Sequence, residues 1–159
     1  MKYEITNIKH ETEPLYRIRA LKDIEIFAVK KGELGGFVAG ENNLSQEGKC
    51  WLFDDSIMLG NSEMHCNSRM FGNSVMLGNS RMYDNSMMLG NSVMHDNSAM
   101  FDDSVMLDDS VMLGNSEMHG NSRMFGNSRM QGNSRMHDDS TMFGNSKMLG
   151  NSKMYGTSR

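Results

Sequence analysis

Proline is nearly absent from this chain: it occurs once in 159 residues, at Pro14. Tryptophan also occurs once, and cysteine twice. No stretch approaches the roughly 18 apolar residues of a membrane-spanning helix. The opening Met1-Lys2-Tyr3-Glu4-Ile5 has no apolar signal-peptide core. These absences predict a cytoplasmic protein with no membrane partner. Cys50 and Cys66 form no metal motif, and two cysteines are too few for a disulfide framework. No metal and no cofactor is expected. What abounds is methionine, 19 residues, and glycine, 16 residues. A bias of that kind signals a repeat before anything else. The length suffices for one domain with a small cap.

Charge is unevenly spread over a net of −4. Residues 1–50 balance 8 basic against 8 acidic side chains. Residues 51–116 carry 2 basic and 9 acidic, and residues 117–159 carry 6 basic and 3 acidic. A solvated surface explains this, as does head-to-tail association or an anionic partner at the basic end.

Met recurs at 58, 64, 70 and every sixth position through Met154, with Leu52 in the same slot one unit earlier. Ser recurs likewise from Ser56 to Ser158, with Cys50 as the small residue of the first unit. Ser and Met stand two apart, so in a strand they share a face. The slots between and after them hold Glu63, Arg69, Arg81, Glu117 and Lys147, which belong outside. Ser and Met therefore point inward. The Gly-Asn, Asp-Asn or Asp-Asp pair makes a corner, because Gly reaches positive φ freely and Asn and Asp tolerate it.

The slot after each Met gives the coil length. Read every eighteenth residue, it yields Phe53, Phe71, Leu89, Leu107, Phe125, Phe143, then Leu59, Leu77, His95, Leu113, Gln131, Leu149, then His65, Tyr83, Phe101, His119, His137, Tyr155. Like sits with like, whereas a step of twelve mixes them. The prediction is an all-β solenoid of 18-residue triangular coils, six of them, over residues 50–159. At about 4.8 Å per rung its shaft is roughly 25–30 Å long. Buried Ser hydroxyls need partners, which Ser or backbone groups one coil away would supply. The Asn column can form amide ladders.

Residues 1–49 read as an N-terminal cap. Lys2–Ile8 and Leu15–Leu21 alternate as a hairpin, Phe27–Lys30 is a third strand, and Gly35-Gly36 is a turn before Phe37-Val38. The repeat runs through Met154 to Arg159, which leaves an open strand edge for pairing with another copy.

A triangular coil of six-residue units resembles the left-handed β-helix of the hexapeptide-repeat superfamily, with Met in the aliphatic slot and Ser in the small one. The chain also resembles small phage- and prophage-borne proteins with Gly-Asn-Ala-x-Val-x repeats. It shares with them the segments Tyr16–Asp23, Gly32–Val38 and Asn43–Gly48. The resemblance implies a left-handed coil, residence in the host cytoplasm, and a host- or phage-directed role. For the wider superfamily it also implies acyl transfer by a trimer with a general-base His. His95, His119 and His137 are the weak candidates for that base.

Two surfaces invite partners. Ile57, Leu59, Val75, Leu77, Val93, Val111 and Leu113 form an apolar strip beyond what most monomers expose, unless residues 1–49 fold back over it. A homo-oligomer is expected, either a trimer that covers this strip or an end-to-end dimer through the open C-terminal edge; a host or phage protein would also cover the strip. The column His65, Tyr83, Phe101, His119, His137, Tyr155, with Arg135 beside it, is a candidate ligand or nucleic-acid face. The simpler account of that column is cross-strand stiffening. The acidic corners Asp54-Asp55, Asp84, Asp102-Asp103 and Asp108-Asp109 read as turn chemistry ahead of calcium ligands. The 18 units are uninterrupted by any loop that would build an enzyme pocket, so the reading favours a non-enzymatic structural or interaction protein. A divergent acyltransferase and a nucleic-acid binder are the alternatives.

Overall fold

The computed structural model describes residues 1–159. Strands β1 (Tyr3–Lys9) and β2 (Tyr16–Ala20) form the expected antiparallel hairpin, with Tyr3 opposite Ala20 and Ile5 opposite Ile18. Strand β3 (Leu34–Val38) pairs antiparallel with β2 and parallel with the shaft, setting Phe37 opposite Ile57 and Val38 opposite Met58. The N-terminal segment therefore continues a shaft sheet instead of standing apart from it.

Two expectations for this segment fail. Phe27–Lys30 is not a strand. Glu25–Phe27 is a single 3-10 turn closed by Ala28 at φ 56°, and only Val29 bridges back to Ile24. Nor is Gly35-Gly36 a turn, since it lies inside β3. A Cβ on Gly35 would lie 2.7 Å from both the Ile18 side chain and the Leu52 carbonyl oxygen. One on Gly36 would lie 2.3 Å from the Ser56 carbonyl oxygen. Glycine is required there because β3 presses its backbone onto the first coil.

From residue 51 the chain forms 18 two-residue strands in three parallel sheets, the architecture of a left-handed β-helix. The first face stacks β4 (Trp51–Leu52), β7 (Arg69–Met70), β10 (Met87–Met88), β13 (Val105–Met106), β16 (Arg123–Met124) and β19 (Thr141–Met142). The second stacks β5 (Ile57–Met58), β8 (Val75–Met76), β11 (Val93–Met94), β14 (Val111–Met112), β17 (Arg129–Met130) and β20 (Lys147–Met148). The third stacks β6 (Glu63–Met64), β9 (Arg81–Met82), β12 (Ala99–Met100), β15 (Glu117–Met118), β18 (Arg135–Met136) and β21 (Lys153–Met154). Every rung but the last three bonds in register to the rung 18 residues on, as Ile57 N–H to the Ser74 carbonyl at 2.9 Å and Leu59 N–H to that of Met76 at 2.8 Å.

Met58 through Met136 are fully buried, and so are Ser56 through Ser140. Each buried Met contributes about 1.5–3 kcal/mol of transfer free energy. Fixing its rotamers offsets up to about 2 kcal/mol of that, so the core gains from repetition more than from any one residue. The first corner residue is left-handed at Gly and Asp alike, with φ 62° at Gly60 and 60° at Asp96. All six such Asp residues on the shaft also accept the amide N–H one coil on: Gly114 to Asp96 at 3.0 Å, and Gly126 to Asp108 at 3.0 Å. The acidic corners are thus clamps between coils. Between the second and third faces, Asn61, Asn79, Asn97, Asn115, Asn133 and Asn151 form an unbroken amide ladder. Elsewhere a ladder stops where Asp103, Asp109 or Asp139 accepts and has no N–H to pass on.

The serines depart from expectation. Ser56, Ser68 and Ser86 donate to the carbonyl three residues earlier, at 2.7 Å, within their own turn. Thirteen others, from Ser74 to Ser152, make no side-chain hydrogen bond. Ser62 does reach the next coil, donating to the Met76 carbonyl at 3.4 Å.

Candidate functional site

The first coil carries the most polar burial. Lys2 Nζ donates to the Cys50 carbonyl at 2.8 Å and lies 3.1 Å from its Sγ. The Tyr3 hydroxyl donates to the Leu44 carbonyl at 2.7 Å. Burial lowers the Lys2 pKa, raises that of the Cys50 thiol, and pushes Tyr3 up to about 12. These bonds hold the N-terminal segment on the shaft.

On the third face, the predicted column becomes one continuous ring stack. His65, Tyr83, Phe101, His119, His137 and Tyr155 follow at centroid spacings of 5.1, 5.3, 4.7, 5.0 and 4.8 Å, tilted by no more than 8°. The parallel ladder fixes this geometry, since identical rungs place identical Cβ vectors one above another. Each inner ring has both π-faces covered by its neighbours and shows solvent only an edge. A base or sugar can stack on His65 or Tyr155 at the ends, but not between. Burial and the neighbouring His119 imidazole lower the His137 pKa.

Beside the stack stands a charged column. Glu117 lies 3.1 Å from His119 Nε2 and takes a hydrogen bond from Arg135 Nη2 at 3.4 Å. Arg135 Nε is 3.0 Å away in the same ion pair without the angle of a hydrogen bond. Glu63 lies 3.2 Å from His65 and 3.7 Å from Arg81 in the same arrangement. Between these clusters Ala99 lacks a side chain long enough to fill its slot. Two open hollows of about 490 and 500 Å³ flank Arg81, the first along Asn61, Glu63 and His65, the second along Tyr83, Ala99 and Glu117. The motif Glu-Met-His, with Arg eighteen residues beyond His minus two, is visible in the sequence at both places.

On the second face, Ile57, Leu59, Val75, Leu77, Val93, Val111 and Leu113 occupy outward, half-buried slots on four consecutive rungs. His95 interrupts them and pairs through Nδ1 with Asp96 at the corner. It therefore stands on a different face from His119 and His137, and the three imidazoles do not converge. The alternative, a fold-back of residues 1–49 over this strip, takes another course. Phe27 packs edge-on to Phe53 at 6.3 Å and under the Arg69 guanidinium at 4.8 Å, both on the first face. Arg17 pairs with Asp55 at the adjoining corner. The loop is drawn there because Phe27 finds aromatic neighbours.

A third surface was missed. Met87, Leu89, Val105, Leu107, Phe125 and Phe143 line the first face beyond Phe27, and Phe143 is 57 % exposed. The signal was the column Phe71, Leu89, Leu107, Phe125, Phe143 itself; Arg69 and Arg123 in the neighbouring slot disguise it.

The arrangement is a rigid scaffold with three chemically distinct faces, suited to surface-mediated interaction. No helix is long and apolar enough to cross a membrane. No family model matches the chain, and no curated protein matches it.

Proposed function

We propose that this chain is a non-enzymatic structural protein of the phage type, a rigid shaft that binds protein through its outer faces and associates with copies of itself. The supporting observation is the second-face strip from Ile57 to Leu113, seven aliphatic residues in water-facing slots on four rungs. An apolar strip of that extent marks an interaction surface. Its occupant is a second copy or a phage or host protein, and its setting is the host cytoplasm. Pairing through two C-terminal ends is the weaker route to an oligomer, because it would bring together two copies of a region with 6 basic and 3 acidic residues.

Solution mass tests the reading. Sedimentation at micromolar to submillimolar concentration should give a species of at least twice the chain mass. A strict monomer throughout that range would remove self-association. Val93→Asp with Val111→Asp should abolish capture of a defined phage or host partner while leaving the circular dichroism spectrum unchanged. Capture that survives both changes would remove the second face from the reading.

A further inference from the structure

We propose that two copies pair antiparallel through the first face, about a two-fold axis that runs along the strand direction between β13 and β16. This rests on the self-association read above but assigns it to the first face, which leaves the second-face strip to a phage or host protein. The first face carries apolar residues in outward slots on every rung, from Trp51 to Phe143. Its first two rungs are occupied within the chain, where Phe27 packs on Phe53 and lies beneath Arg69. The free length is β10, β13, β16 and β19, about 20 Å at the usual rung spacing. Its midpoint falls between β13 and β16.

Charge then selects the register. Strand β13 is bounded by acidic pairs at both corners, Asp102-Asp103 before it and Asp108-Asp109 after it, all exposed. Strand β16 opens on Arg123, which is exposed and belongs to no ion pair. A two-fold axis parallel to the shaft would set each rung on its own copy, and the four acidic residues around β13 would meet four more. An antiparallel axis centred on β13 would oppose Asp103 to itself, and one centred on β16 would oppose Arg123 to itself. The axis between the two rungs sets neither Asp103 nor Arg123 on its own copy and brings the two together. There Leu107 lies over the partner's Phe125, Leu89 over the partner's Phe143, and Arg123 beside the partner's Asp103, each contact made twice by symmetry. The same edge brings Asp84 toward the partner's Asp138-Asp139. All three carboxylates already accept an N–H within their own chain, from Asp102, Gly156 and Asn121, which reduces that repulsion.

Four rungs make a small interface beside the roughly 800 Å² per partner of standard complexes, so the dimer should dissociate in the micromolar range. The decisive experiment mixes two charge variants of the full chain, each first checked for folding by circular dichroism. Arg123→Asp and Asp103→Arg alone should each weaken dimerisation by about tenfold or more, because each sets like charges together at both ends of the interface. Their equimolar mixture should regain dimer, since every mixed pair is again of opposite sign. Leu107→Glu, which touches neither charge, should also give a monomer. A mixture that stays as monomeric as its components overturns the register. A wild-type dimer that survives Leu107→Glu overturns the first-face geometry but leaves self-association standing. A wild-type chain that is monomeric at every concentration removes both.

Discussion

Shifted by 54 residues, three coils, the stretch Ile57–Val105 falls on Val111–Arg159, and the two halves differ in one systematic way. Glu63, His65, Arg69, Phe71 and Arg81 meet Glu117, His119, Arg123, Phe125 and Arg135. Every inward Met and Ser is kept. Val75, Val93, Ala99 and Val105, however, meet Arg129, Lys147, Lys153 and Arg159. The second half has exchanged apolar outward residues for cations, and it sets Arg129 opposite Lys147 and Arg135 opposite Lys153 in register. Like charges stacked in this way cost stability. The difference teaches that the inward period alone specifies the coil, and that the outward slots are free to carry a surface.

Matched positions in the two halves separate what the coil needs from what it tolerates. The largest effect belongs to the core. Met94→Ala removes a fully buried side chain and should cost about 2–5 kcal/mol in chemical denaturation. Its counterpart Met148 is 6 % exposed, and Met148→Ala should cost less than half as much. Equal costs would mean that the two halves are packed alike. Next comes the amide ladder. Asn97 donates to Asn115 and accepts from Asn79, whereas its counterpart Asn151 only accepts from Asn133. Asn97→Ala should therefore lower stability by about 1–2 kcal/mol and Asn151→Ala by about 0.5–1 kcal/mol. The serines sharpen the contrast further. Ser86 donates to the Tyr83 carbonyl, while its counterpart Ser140 has no partner. Ser86→Ala should cost about 1 kcal/mol, and Ser140→Ala should be neutral or stabilising, because it removes an unpaired buried hydroxyl. A large loss at Ser140 would show that its hydroxyl finds the carbonyl after all.

The coil was legible in the sequence because three signals agree: a period of six in Met and Ser, a period of two within each rung, and a period of 18 in the slot after Met. Each reports a spacing, and spacing along the chain becomes spacing in space when rungs stack in register. What spacing does not carry is what lies across an interface. Gly35 and Gly36 read as a turn until the Leu52 and Ser56 carbonyls are seen against them. The third-face column names the neighbours correctly, yet whether the rings show faces or edges depends on a side-chain direction that no periodicity encodes. Phe27 reads as strand because an apolar residue between turns usually is, and its packing on Phe53 depends on a partner 26 residues away. The long-range contacts of the N-terminal segment were thus the least readable part of the fold, and the repeat was the most readable.

Returning the cations to their first-half identities isolates the cost of charge. Arg129→Val, Lys147→Val and Lys153→Ala together should raise monomer stability by a few tenths of a kcal/mol at low ionic strength, since exposed pairs contribute little. The gain should vanish in high salt, where the Debye length falls to about 3 Å at 1 M. A gain that persists in salt would point to packing instead, and a loss would mean that the basic residues stabilise the coil they sit on.

The smallest effect distinguishes His137 from its counterpart Tyr83. Burial and the imidazole of His119 hold the His137 pKa below its usual value. Between that lowered value and the ordinary value of about 6.5, the unfolded chain binds a proton that the folded chain does not. Stability therefore rises with pH across this window, and acidification through it favours unfolding. Asp138 opposes the shift, while Arg135 and Lys153 reinforce it; burial, the largest cause, is not screened by salt. His137→Tyr restores the first-half residue and should flatten the stability profile below neutral pH while keeping the ring in the stack. Proton NMR titration of the histidines gives the direct reading. A His137 midpoint at or above the free-imidazole value would mean that the stack is open to water, and the edge-on packing of the third face would then have to be redrawn.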